Sequence, residues 1–125
     1  MTEQEIKAKT ARIYELKDEI RERENAISEI EGEIRGHYIE EAEKKFPDFK
    51  RGDKVMVTAR TWTYKGYEEY TEGPFIYFGA RYNKYAYELN ASRIEYVFRE
   101  IKRNGEPAKK EHAYFGIVKL EKVTE

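Results

Sequence analysis

Isoleucine occupies positions 6, 13, 20, 27 and 34, five times at a spacing of seven. Repetition at seven marks one stripe of an α-helix, and Leu16 and Ile30 fall three residues after two of these isoleucines. Ile6, Ile13, Ile20, Ile27 and Ile34 thus take the a positions of a heptad, with Leu16 and Ile30 at d. Thr2 followed by Glu5 makes a capping box at the start. No proline or glycine interrupts residues 3–31, and the polar positions are rich in Glu, Lys and Arg, which cost a helix little.

The d column is mixed: Lys9, Leu16, Arg23, Ile30 and His37. In a parallel dimer residue g of one helix faces the following e of the other. That would set Arg12 against Lys17 and Glu19 against Glu24, both repulsive. An antiparallel or higher-order arrangement fits the charges no worse. A continuous helix over residues 2–45 would be roughly 65 Å long, whereas a β-domain of the remaining size is only about 25 Å across. The expectation is one continuous helix that self-associates through Ile6, Ile13, Leu16, Ile20, Ile27, Ile30 and Ile34. The alternative is a helical hairpin turning near Asn25, where Ser28 and Glu31 repeat the capping pattern. Gly32 and Gly36 mark either local weakening or close approach of a partner helix. Tyr38, Ile39, Ala42 and Phe46 continue an apolar face toward the rest of the chain, and Pro47 stops the helix.

After Phe49 the pattern changes to alternation at period two. Arg51-Gly52-Asp53 reads as a turn into a strand over residues 54–60. Further strands are expected over 75–82, 84–89, 94–102 and 112–123, and Asn104-Gly105 is a hairpin signal. The expected fold is α+β: a helical arm over residues 1–46, then a tyrosine-rich β-domain over 47–125 forming a small antiparallel five-stranded barrel or meander. The opening Phe49-Lys50-Arg51-Gly52-Asp53-Lys54-Val55 resembles the first strand of SH3-like small barrels of the KOW and Tudor types. The arrangement also looks like small proteins of bacterial mobile elements and phages. The first of these resemblances implies a small barrel.

Composition narrows the chemistry. The 125 residues include no cysteine, which excludes disulfides and thiolate metal sites. Charged residues make up 39%, yet the formal net charge is −1, so acids and bases are interleaved. Residues 1–45 hold 9 Lys/Arg against 13 Asp/Glu, a net of −4; residues 46–125 hold 15 against 12, a net of +3. Eleven tyrosines, six phenylalanines and a tryptophan demand a packed domain, because disordered chains are poor in them. Met1-Thr2-Glu3-Gln4-Glu5 begins no signal peptide, and nowhere do 18 apolar residues run together, so a cytoplasmic protein without a membrane span is expected.

His37 and His112 are read as surface or packing residues; Ser28 and Ser92 lie in no nucleophile context, and no phosphate loop occurs. No enzyme, metal site or cofactor is expected. The remaining signal is basic residues among aromatics: Arg60, Trp62, Tyr64 and Lys65; Arg81, Tyr82, Lys84 and Tyr85; and a basic tip with Arg103, Lys109 and Lys110. Exposed aromatics and arginines suit a protein interface and equally the stacking of bases beside bound phosphates. The first expectation is therefore a self-associating adaptor with a protein partner, an inhibitor of a host or defence protein being one variant. The second is a nucleic-acid-binding accessory protein.

Overall fold

The computed structural model describes residues 1–123. A single α-helix, α1 (Glu3–Lys44), opens the chain without interruption at Asn25, so the helical hairpin does not form. Its heptad phase runs unbroken through residues 20 and 27, and nothing at Asn25 competes with it. The Glu5 amide donates to the Thr2 hydroxyl at 3.2 Å, which satisfies one of the open N–H groups of the first turn.

Two compact units divide the chain: Met1–Ile34, helical from Glu3 onward, and a unit beginning at Arg35 that holds the last turns of α1 and all the strands. The five strands are β1 (Lys54–Thr63), β2 (Gly66–Tyr82), β3 (Ile94–Ile101), β4 (Pro107–Tyr114) and β5 (Lys119–Lys122). They pair antiparallel in the order β4-β3-β2-β1-β5. The fold is α+β, and the sheet is open rather than a closed barrel, since β4 and β5 both end it as edges.

Three expected strands are redrawn. Residues 84–89 form turns, not a strand, because the Asn83 side chain accepts from the Tyr85 amide at 2.8 Å and its carbonyl from Ala86 at 3.1 Å. Local side-chain hydrogen bonds of this kind outcompete a ladder. The last run splits into β4 and β5 around Phe115-Gly116, and β2 starts nine residues before Phe75. Gly73-Pro74 lies within β2 at the irregularity between Glu72 and Phe75, opposite Met56 of β1 and ahead of the first residue that pairs with β3, so the missing proline N–H falls outside the register of both neighbours. The hairpin at Asn104-Gly105 forms, closed by Gly105 donating to the Lys102 carbonyl at 2.9 Å.

The Arg51-Gly52-Asp53 turn precedes β1 as the sequence implies. Gly52 takes φ +99° and donates to the Tyr77 carbonyl at 2.7 Å, while Asp53 accepts from the Lys50 amide at 2.9 Å. One face of the sheet gathers Val55, Val57, Phe75, Tyr77, Ile94, Tyr96, Phe98 and Leu120 around Ala42 of α1. Tyr38, Ile39 and Phe46 pack against this core, the Phe46 ring meeting Tyr96 edge-on at 5.5 Å.

Candidate interaction surfaces

β1 and β2 together extend past the rest of the sheet. β5 pairs with β1 only from Val55 to Thr58, and β3 pairs with β2 only from Phe75 onward. Residues 59–72 therefore form a two-stranded ribbon with both outer edges open, turning at Tyr64-Lys65. A ribbon of two strands is marginal by itself. Cross-strand pairs hold this one: the Thr58 and Thr71 hydroxyls at 2.9 Å, Arg60 with Glu69 at 3.5 Å, and the Trp62 ring edge-on to Tyr67 at 4.7 Å. The tip nevertheless leaves Trp62 70%, Tyr64 92% and Tyr67 72% exposed. Beside it, Arg60 and Tyr67 share an open groove of about 700 Å³ with Phe115, Gly116, Ile117 and Val118.

The expected basic-aromatic residues are not brought together. Arg60, Trp62, Tyr64 and Lys65 lie on the ribbon, but Arg81 and Tyr82 lie at the opposite end of β2, followed by Lys84 and Tyr85 in the turns after it. Arg103 belongs to the β3–β4 turn, and Lys109 and Lys110 to edge strand β4. That turn leaves the sheet at the same end as the ribbon, two strands away.

Charge is largely answered where it occurs. Arg81 Nε lies 2.6 Å from Glu95 and its Nη1 2.5 Å from Glu111; the hydrogen bond to Glu95 is the main reason its pKa rises further. The Tyr82 hydroxyl accepts from the Asn90 amide at 3.0 Å and donates to the Glu88 carbonyl, and its ring lies 5.5 Å from the Arg35 guanidinium. Tyr82 thus anchors a loop. The Lys65 and Lys84 ammonium groups rest over the neighbouring Tyr64 and Tyr85 rings, at 5.5 and 5.1 Å. Along the ribbon Glu69 lies opposite Arg60, Glu68 opposite Thr61 and Glu72 opposite Val57. Exposed Phe115 and Val118 were missed in the sequence. The Gly116 break beside Phe115 was the available signal.

Along the first unit, Ile6, Ile13, Leu16, Ile20, Ile27 and Ile30 are each 41–56% exposed. Ile34, at the end of that unit, is half-buried. His112 stacks on Phe75 at 4.9 Å and meets Glu100 at 3.1 Å, a packing role. Among the described residues no three acidic or histidine side chains are grouped to hold a metal, and no helix is long and apolar enough to cross a membrane.

No protein-family model matches the chain, and neither a curated protein nor a solved structure is significantly similar to it.

Proposed function

We propose that this chain is a non-catalytic cytoplasmic assembly protein that self-associates through α1 and offers the β1–β2 ribbon to a protein partner. The observation that carries the reading is the exposed apolar stripe of the first unit, six large aliphatic side chains in register along about seven turns. Contiguous apolar surface of that extent is a mark of an interface. The ribbon supports the second half of the proposal: three exposed aromatics with Arg60 at their base are the residue types that anchor protein interfaces. Kinship with SH3-like small barrels rests on the turn and strand from Phe49 to Val57.

Equilibrium sedimentation at several concentrations tests the self-association, and capture of partners by wild type against Trp62→Ala tests the ribbon. A second reading, an accessory nucleic-acid binder, is favoured by Tyr64 and Lys65 at the ribbon tip. It requires binding that falls steeply with salt and is lost in Arg60→Glu. The glutamates lining the ribbon argue for the protein partner.

A further inference from the structure

The geometry points to a defined partner for the apolar stripe of α1: a second copy of the same helix, running antiparallel, with Ile13 set against the partner's Ile30. This deepens the proposed self-association and rests on it. Lys9 and Arg23 lie on the same stripe as the isoleucines. A parallel, in-register pair would bring Lys9 against the partner's Lys9 and Arg23 against the partner's Arg23 at the seam. An antiparallel pair mates a with d, so each cation meets an isoleucine, over which its stem can lie while the charge reaches water.

Flanking charges then choose among antiparallel registers. In such a pair g faces g and e faces e. With Ile13 against the partner's Ile30, Arg12 faces the partner's Glu33 and Lys17 faces the partner's Glu24. Two-fold symmetry makes four attractive pairs. The other flanking matches are Glu19 with the partner's Ala26 and Thr10 with the partner's Glu31, so no like charges meet between residues 9 and 34. Four of the six layers from Ile13 to Ile30 are wholly aliphatic. They join Ile13 to the partner's Ile30 and Leu16 to the partner's Ile27, each twice.

Shifting by one heptad spoils the match. One direction sets Glu19 against the partner's Glu19 and Lys17 against the partner's Lys17; the other sets Glu24 against the partner's Glu24 and Glu19 against the partner's Glu33. The overlap from Lys9 to Ile34 lies wholly within the first compact unit. In the chain itself Arg12 reaches Glu15 at 3.0 Å and Glu19 at 3.8 Å, and it stays more than half exposed, so it can turn to the seam.

Charge reversal in the full-length chain separates the arrangements by sign. In the antiparallel register Arg12→Glu faces Glu33 and Glu33→Arg faces Arg12, so each raises the dimer dissociation constant about tenfold, and R12E/E33R restores it. In a parallel pair Arg12→Glu would face Lys17 and tighten the dimer, and the double variant would restore nothing. Because R12E also disturbs the bonds to Glu15 and Glu19, E33R is the independent arm, with helix content followed by circular dichroism. A dimer tightened by R12E, or one unaffected by E33R, overturns the register while leaving self-association standing. A wild type that is monomeric at every concentration overturns both.

Discussion

The Tyr96 hydroxyl donates to the Ala42 carbonyl at 2.9 Å, joining residues 54 apart and tying the last turn of α1 to β3. That carbonyl is one of the four at a helix end without an intrahelical partner; the Lys45 amide also approaches it, at 3.3 Å. Nearby Tyr77 is equally buried, yet no described protein group hydrogen-bonds its hydroxyl. The two phenols predict opposite responses. Tyr96→Phe should lose about 1 kcal/mol, because it leaves a buried carbonyl less well satisfied, whereas Tyr77→Phe should be neutral or stabilising by up to about 1 kcal/mol. Urea denaturation of the two variants measures the difference.

Glu43 supports the same junction. Its carboxylate accepts from the Ala80 amide at 3.0 Å and from Arg51 at 2.8 Å, holding the irregularity in β2 between Tyr77 and Ala80. Gly79 sits there with φ +84°, and a Cβ on it would lie 2.5 Å from both Glu43 Oε1 and Arg51 Nε. Gly79→Ala should therefore cost about 2 kcal/mol, through the left-handed backbone and the displaced ion pair together. Thermal unfolding would show it, and a change within the spread of ordinary surface substitutions would contradict the clamp.

Burial pushes Tyr77 up to about 12, with the Glu43 charge adding to it, and burial raises Tyr96 and Tyr114 as well. The unfolded chain therefore releases these protons first, near pH 10. Their contribution to stability is complete below that pH and is lost as pH rises through the folded values. Stability should fall from about pH 10 to 12, less steeply in Tyr77→Phe. Denaturation midpoints across that range give the comparison.

Trp62, the single tryptophan, reports on the ribbon. With 70% of its surface exposed, its fluorescence should be that of an indole in water, readily quenched by acrylamide and little changed by urea. Trp62→Ala and Tyr67→Ala should each cost no more than about 1 kcal/mol, the scale of a cross-strand aromatic pair. A shielded, blue-shifted emission from the isolated chain would contradict an open tip.

Helix and strand were legible to different depths. The seven-residue isoleucine repeat, the turn at Gly52 and the Asn104-Gly105 hairpin are local signals, and each formed where the sequence put it. Residues 84–89 alternate like a strand, but Asn83 and Asn90 supply side-chain oxygens that bend them into turns and cap the short 3-10 helix Ala91–Arg93. The basic-aromatic clusters misled for a different reason. Arg81 is answered by Glu95 and Glu111, which lie 14 and 30 residues further along and come beside it only through strand pairing. Spacing along the chain carries no trace of such partners. Nor does it show that Tyr67 lies across from Trp62, which follows from a two-residue turn at Tyr64-Lys65.

Equilibrium sedimentation of the full chain against Ile13→Asp measures whether α1 meets a second copy. The wild type should reach twice the chain mass, approached as concentration rises. I13D should stay at a single chain mass with the β-unit still folded, since Ile13 is exposed in the single chain and would face an isoleucine across the seam. A wild type that stays at one chain mass at every concentration, or an I13D variant that assembles as the wild type does, would contradict self-association through α1.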